Sequence, residues 1–160
     1  MKKALITGTF DPFTEGHHDL VKRAAALFDE VHLVVFDNSE KNNMFNGDQR
    51  FEIAKRSLAD VKNAVVGRTS GLVVGYAEEH GINVIIKGVR DTKDFEYEYD
   101  LSLINKEIGD IETLFLPTSP EKRFISSTFV REMIRHGVDI SKYVPKGGYE
   151  YIASLIACDK

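Results

Sequence analysis

Five short runs of apolar and β-branched residues recur along the chain, and segments with helical periodicity separate them. The runs cover residues 4–7, 31–36, 64–66, 83–86 and 111–116. A first helical stripe is formed by Leu20, Val21, Ala24, Leu27 and Phe28, and later periodic segments cover 48–58, 72–80, 94–108, 127–136 and 149–156. Alternating strands and helices predict a parallel sheet with helices on both faces. The sequence therefore predicts one α/β domain over residues 1–160, a doubly wound (Rossmann-like) fold with a five-stranded parallel sheet.

The composition agrees with one such domain and limits its partners. The 160 residues are 42% apolar, which is enough to bury a core. The net charge of −4 argues against binding nucleic acid through the overall field. Cys158 is the one cysteine, so no internal disulfide can form and a reducing cytoplasm is expected. No apolar run approaches the ~20 residues of a membrane span, and the first residues do not match a signal peptide, so we expect no membrane contact.

Candidate ligand contacts follow four of the five predicted strands. Thr9 and His17 follow the first strand, and Lys41 follows the second within a polar loop. The segments 87–90 and 122–128 follow the fourth and fifth strands. Ligands of open α/β sheets bind beyond the carboxyl ends of the strands, where connections diverge to opposite faces. We therefore predict that all four clusters open onto one edge of the sheet.

The first of these clusters resembles a phosphate-binding turn between a strand and a helix. Gly8 and Gly16 would let the backbone approach a ligand, and His17 would lie in the first turn of the helix, where free N–H groups and the helix dipole favour an anion. An ordinary turn and an ordinary helix cap at Thr14 are the alternative. That alternative does not account for His17 and the two glycines together.

Two further segments have phosphate-binding chemistry, each beside a simpler interpretation. Lys87 and Arg90 flank a glycine at a strand end, which suits an anion but also a solvated surface turn. Glu98 on the next helix could orient Arg90 or meet a ligand hydroxyl. Three consecutive hydroxyls, in the segment 126–128, precede another helix, where one hydroxyl would suffice as a cap and three suggest a second phosphate cradle.

A metal site is not predicted. His17, His18 and Asp19 are consecutive in a predicted helix, so their side chains point about 100° apart and cannot converge on one ion.

Taken together, these motifs make the chain similar to the bacterial phosphopantetheine adenylyltransferases, within the nucleotidyltransferase superfamily that shares a T/HxGH signature. That signature is present from Thr14 to His17, and a second superfamily signature is present as ISSTFVR at 125–131. The segments GTFDP at 8–12, GVR at 88–90 and DFEYE at 94–98, with Lys41, narrow the resemblance to this family. It covers essentially the full length. The family usually has arginine where this chain has Lys87.

The resemblance implies adenylyl transfer from ATP to 4′-phosphopantetheine, which gives dephospho-coenzyme A and pyrophosphate. Its implied catalytic residues are His17, Lys41, Thr9 and Arg90. Its implied contacts to phosphopantetheine are Thr9, Lys41, Val73 and Lys87. Its implied ATP contacts are Thr9, Phe10, His17, Gly88, Val89, Arg90, Glu98, Lys122, Arg123, Phe124, Ile125, Ser126, Ser127 and Thr128. It also implies Mg²⁺ carried with ATP, a homohexamer, and coenzyme A as a feedback inhibitor.

The predicted chemistry needs no covalent nucleophile and no general base, because a phosphate monoester is already anionic near neutral pH. The protein has to bring two anions together and stabilise the spreading charge. Two alternatives stay open at this point. One is an adenylyltransferase acting on a different phosphate, such as a nicotinamide or nicotinate nucleotide. The other is a nucleotide-binding module without turnover.

Overall fold

The computed structural model describes residues 1–37 and 42–158. In that part the strands are β1 (Lys3–Gly8), β2 (Glu30–Phe36), β3 (Ala64–Thr69), β4 (Val84–Val89) and β5 (Glu112–Pro117). The α-helices are α1 (Glu15–Ala25), α2 (Gly47–Ser57), α3 (Val73–Glu79), α4 (Thr92–Gly109), α5 (Ser127–Arg135) and α6 (Lys146–Cys158). A single 3₁₀ turn spans Pro120–Lys122. The prediction for Lys41 falls outside the described residues.

The strands form a parallel sheet in the order β3-β2-β1-β4-β5. The chain starts in the middle, moves outward through β2 to β3, and then crosses back to β4 and β5. Connections on the two sides of β1 therefore diverge, and the boundary between β1 and β4 is the switch point where such sheets bind ligands. The prediction of a doubly wound, five-stranded parallel sheet is confirmed.

Helices cover both faces of the sheet because the strand residues alternate between two apolar clusters. Ala4 and Ile6 of β1 contribute to the larger cluster, which also contains residues of α1, α2, α5 and α6. Leu5 points the other way, into a smaller cluster with Val74 and Ala77 of α3. Burial on both faces explains why the inner strands read as nearly continuous apolar runs.

Two predicted details of the elements are wrong. The fourth strand continues to Val89, so Lys87 lies within β4 and not in the turn that follows it. The first helix ends at Ala25, and Leu27 is 64% exposed instead of completing the buried stripe. Strand β4 is longer than predicted because Lys87 and Gly88 pair with β5. Helix α1 is shorter than the apolar stripe that predicted it.

Helix α4 differs from the other helices because none of its residues is buried. Apolar side chains on it, among them Tyr97, Ile104 and Ile108, are at least half exposed, and Leu114 on the neighbouring edge strand β5 is also exposed. Exposed apolar faces of this kind are common at contacts between proteins. Within residues 1–37 and 42–158, no helix combines the length and the apolar character needed to cross a bilayer.

Candidate active site

A cavity of about 620 Å³ opens at the carboxyl ends of β1 and β4, at the switch point of the sheet. The end of β1, the start of α1, the end of β4 and the start of α5 form its walls. The volume is in the range that holds a nucleotide-sized ligand. The described clusters that were predicted to meet at one edge do meet there.

His17 lies in the first turn of α1, where it completes a capping box. Thr14 is the N-cap, and its hydroxyl accepts a hydrogen bond from the backbone N–H of His17. In return the backbone N–H of Thr14 donates to Nδ1 of His17 at 3.0 Å. A glutamate or glutamine usually fills this position of a capping box. Here the imidazole does so, and the ring is thereby fixed in orientation.

The same contact determines which ring nitrogen carries the proton. Since Nδ1 of His17 accepts from a backbone N–H, it is unprotonated, and the proton of the neutral ring is on Nε2. Burial, and to a smaller degree the positive charge of Arg90, lowers the pKa of His17 from 6.5 to about 4. His17 is therefore a neutral N–H donor at physiological pH.

Two aromatic rings hold the imidazole from the sides. The ring of Phe10 lies 4.9 Å from that of His17 between centroids and is nearly perpendicular to it, and the ring of Phe13 lies at 5.4 Å. Phe10 is buried. Its φ is +51°, a left-handed backbone conformation that residues with bulky side chains rarely adopt. Backbone strain of this kind persists only where the surroundings enforce it, and it is common at functional sites.

The turn between β1 and α1 is tied to the loop before α2 and to helix α5. The carboxylate of Asp11 accepts from the backbone N–H groups of Met44 and Phe45, at 2.8 and 2.9 Å. Arg131 donates to the carbonyl of Asp11 at 2.7 Å, and the hydroxyl of Ser127 donates to the carbonyl of Pro12 at 2.8 Å. The active-site turn is thus fixed on two sides.

The cations of β4 and of the turn after it already have acidic partners. Nζ of Lys87 lies 3.1 Å from Oε2 of Glu98, at ion-pair distance but without hydrogen-bond alignment. Arg90 binds Asp94 through its Nε at 2.8 Å, and this hydrogen bond lowers the pKa of the carboxyl. Of the two possibilities for Glu98, it therefore does not orient Arg90, since Asp94 does.

The three hydroxyls before and in α5 are not equivalent. Ser126 is the N-cap and accepts from the backbone N–H of Phe129 at 3.0 Å. Ser127 binds the carbonyl of Pro12, and Thr128 accepts from Arg131 at 3.2 Å. All three residues line the cavity. Ser127 uses its O–H group as a donor, whereas Ser126 and Thr128 accept, so a phosphate could take hydrogen bonds from the O–H groups of these two residues as well as from the N–H groups at the helix N-terminus.

Most of the predicted contacts that the structure describes line the cavity. They are Thr9, Phe10, His17, Lys87, Gly88, Arg90, Glu98, Lys122, Ile125, Ser126, Ser127 and Thr128. Val73, Val89, Arg123 and Phe124 do not line it. Val73 begins α3 and packs against the smaller apolar cluster, and Phe124 is largely exposed.

Several cavity residues were assigned no ligand contact in the sequence interpretation. Arg131 and Arg23 add positive charge to the wall, and Asp19 binds the hydroxyl of Ser119 at 2.8 Å. Arg131 is the last residue of the ISSTFVR signature, so the signature itself could have indicated it. Arg23 follows no strand, so the search at strand ends passed over it.

The described residues contain no group of three or more histidine, cysteine or acidic side chains arranged to hold a metal ion. The acidic residues of the cavity wall are Asp11, Asp19, Asp94 and Glu98. They bind backbone N–H groups, a hydroxyl or basic side chains.

Comparison with known proteins agrees with this geometry. The model of the cytidylyltransferase-like family matches residues 5–133, so the fold and the site define a member of that nucleotidyl-transferring class. A solved structure of a Vibrio parahaemolyticus protein, assigned as a nicotinate-nucleotide adenylyltransferase, has the same fold. Its TM-score is 0.74 at 20% identity, with 96% of this chain and 93% of that chain covered.

Curated relatives are closer in sequence. A phosphopantetheine adenylyltransferase of Staphylococcus carnosus is 43% identical over 145 residues, which cover 90% of each chain. One of Polynucleobacter necessarius is 42% identical over 160 residues, which cover 99% of this chain and 97% of the relative. The chain belongs to the phosphopantetheine adenylyltransferase family.

Proposed function

We propose that this enzyme transfers the adenylyl group of ATP to 4′-phosphopantetheine and releases dephospho-coenzyme A and pyrophosphate, reversibly. The observation that carries the proposal is one cavity that collects a neutral N–H donor at a helix N-terminus, a second helix N-terminus, and the cations Lys87 and Arg90. Such a wall suits two phosphorylated substrates better than one. The names of the relatives support this pair of substrates.

The proposed reaction is one in-line displacement without a covalent enzyme intermediate. A phosphate oxygen of phosphopantetheine attacks the α-phosphorus of ATP and forms a new P–O bond. The bond between the α-phosphorus and the bridging oxygen breaks, and pyrophosphate leaves with the electron pair. No proton has to be removed from the attacking group, because the second pKa of a phosphate monoester is about 6.

In this mechanism His17 donates from Nε2 to an α-phosphate oxygen, where charge accumulates in the transition state. Its fixed tautomer and its low pKa, about 4, keep that donor present and uncharged. Arg90 would stabilise the departing phosphates. Lys87 and Thr9 would hold the acceptor phosphate. Lys41, which lies outside the described residues, is proposed as a further cation on the acceptor.

Mg²⁺ is proposed to enter as part of the ATP substrate. The ion is bound in many enzymes by substrate phosphates and waters with few protein ligands. The paired carboxylates of the cavity wall support this view, since they would have to leave their present partners to bind it.

The test is incubation of the chain with ATP, Mg²⁺ and a panel of phosphate acceptors, followed by mass detection of the products. The panel contains phosphopantetheine, nicotinate mononucleotide and nicotinamide mononucleotide. We expect dephospho-coenzyme A as the main product. The matched control is His17→Gln, which keeps an acceptor for the N–H of Thr14 but lacks the imidazole donor; its turnover should fall ~10²–10³-fold.

Two results would contradict the proposal. Preferential adenylylation of a nicotinate or nicotinamide nucleotide would assign the chain to another acceptor. ATP binding without turnover of any acceptor would make it a nucleotide-binding module.

We further propose a cytoplasmic homohexamer that coenzyme A inhibits. The exposed apolar face of α4 supports self-association, the resemblance supports the number six, and the single, exposed Cys158 suits a reducing compartment. Coenzyme A contains the pantetheine and adenosine parts of both substrates, so it would compete for the cavity. Light scattering of the wild type and of Ile104→Asp would test assembly, and a rise in the KM of phosphopantetheine with added coenzyme A would test inhibition.

A further inference from the structure

Arg50 is a fully buried cation that belongs to none of the predicted sites. It lies in the first half of α2, and only 1% of its surface is exposed. An unpaired charge at such depth would be strongly destabilising, so the partners of the guanidinium define what it does.

The partners of Arg50 come from the chain segments that end at the cavity. Nη1 donates to the carbonyl of Thr9 at 2.7 Å and to that of Phe36 at 2.9 Å. Nε donates to the carbonyl of Phe45 at 3.1 Å, and Nη2 binds the carboxylate of Asp37 at 3.0 Å. One planar group therefore joins the end of β1, the end of β2 and the residue before the N-cap of α2.

The contact with Thr9 acts directly on the strained residue of the site. The carbonyl of Thr9 belongs to the peptide plane that joins Thr9 to Phe10. The φ of Phe10 is +51° and describes the rotation about its N–Cα bond, which links that peptide plane to the Cα of Phe10. A guanidinium that fixes the plane therefore helps to hold Phe10 in its left-handed conformation. In that conformation the ring of Phe10 packs against the imidazole of His17 at 4.9 Å.

The contact with Phe45 acts on the same turn from its other side. Phe45 donates its N–H to the carboxylate of Asp11 and accepts from Arg50 through its carbonyl. Arg50 and Asp11 thus clamp one residue of the loop before α2 against the active-site turn.

We propose that Arg50 is a positioning residue for adenylyl transfer: through the Thr9 carbonyl and Phe45 it holds the turn that places Phe10 against His17. Arg50 does not line the cavity, so it would act through the turn and not by contact with a ligand. The proposal rests on the proposed function for its kinetic test but not for its structural one.

The kinetic test compares Arg50→Lys with Ile53→Ala at a temperature where circular dichroism shows both folded. Lysine keeps the charge but cannot reach three carbonyls at once. Ile53 is fully buried in the same helix and packs towards α6 at Gly148, so it controls for lost stability. We expect Arg50→Lys to lower kcat between about 10- and 100-fold while the KM of ATP changes less than about threefold. Ile53→Ala should keep kcat. Equal losses in the two variants would overturn the proposal.

The structural test needs no substrate. The N–H groups of Met44 and Phe45 donate to Asp11, so their hydrogen exchange reports whether the turn and the loop remain joined. Exchange at these two positions should accelerate in Arg50→Lys and not in Ile53→Ala, and unchanged exchange would refute the clamp. If the wild type fails to adenylate phosphopantetheine, the proposed function fails while this measurement still decides the role of Arg50.

A milder pair of variants covers the case in which Arg50→Lys does not fold. Asp37→Asn removes the charge that balances the buried guanidinium of Arg50, so its hydrogen bonds to the carbonyls of Thr9 and Phe45 should be held less firmly. Asp37 also accepts a hydrogen bond from Nη2 of Arg68. Arg68→Ala removes this second cation and leaves Arg50 in place. We expect faster exchange at Met44 and Phe45 and a lower kcat only in Asp37→Asn. The same response in both variants would contradict the proposal.

Discussion

Replacement of His17 by glutamine should remove a pH dependence of folding stability that the wild type has. The glutamine side chain can accept the hydrogen bond from the N–H of Thr14, as in an ordinary capping box, but it does not titrate. The difference in unfolding free energy between the two proteins therefore isolates the titration of one ring. The other histidines contribute equally to both proteins and cancel.

The sign and size follow from the pKa of His17, which is lowered from 6.5 to about 4 by burial and by Arg90. Above pH 6.5 the ring is neutral in both states. Below it the unfolded chain binds a proton that the folded chain does not, so stability falls as the pH falls towards 4. At about pH 5 the loss reaches about 2 kcal/mol. Because the ring borders the cavity, solvent makes this an upper value.

The assay is urea unfolding of both proteins between about pH 7.5 and pH 5, the range over which this loss should develop. Relative to His17→Gln, the wild type should lose up to about 2 kcal/mol across this range. If the unfolding free energies of the two proteins changed with pH in parallel, His17 would have the same pKa in the folded and the unfolded chain. In that case the site would not lower the pKa of His17, and the ring would be kept neutral by the pH of the medium and not by its burial.

Three further substitutions test other parts of the site. Lys87→Ala should raise the KM of phosphopantetheine markedly and that of ATP less, while Lys87→Arg should keep activity through a bidentate contact; normal binding by the alanine variant would make Lys87 a structural charge. Gly16→Ala places a Cβ 3.0 Å from the carbonyl of Ile125, so we expect a thermal unfolding curve that reports a loss of about 1–3 kcal/mol, and unchanged stability would show that the segment before α5 can move aside. Asp94→Asn frees Arg90 from its carboxylate, so inorganic pyrophosphate should bind about fivefold more tightly in calorimetry; weaker binding would show that Asp94 serves to position the guanidinium.

The fold was predictable because its information is local. Each inner strand is an apolar run covered on both faces, and the turn residues between the runs mark where the chain reverses. Element ends were less predictable. Leu27 continues the helical stripe in sequence, but α1 stops at Ala25 and Leu27 becomes exposed. The stripe records which residues are apolar and does not record where the helix ends.

The site was predictable where its chemistry lies at strand ends, as for Thr9, His17 and Arg90. It was not predictable where partners are distant in sequence. Arg50 lies among charged residues of an amphipathic helix, a pattern typical of a solvated face. Its burial depends on a carbonyl 41 residues away, at Thr9, which no local pattern records. The partner of Arg90 was missed for another reason, since Asp94 and Glu98 are both on α4 and only the direction of the helix decides between them.

The pairing of cavity cations with carboxylates has a consequence for which anions the cavity selects. Lys87 and Arg90 each form an ion pair with an acidic side chain of the same protein. A tethered carboxylate competes at a high effective concentration, so a small free anion gains little by displacing it. A nucleoside triphosphate binds through a base, a sugar and several phosphates at once, and these combined contacts can outweigh the competition from the carboxylate. These ion pairs would therefore weaken the binding of inorganic phosphate in the cavity and favour ligands that bind through more than charge.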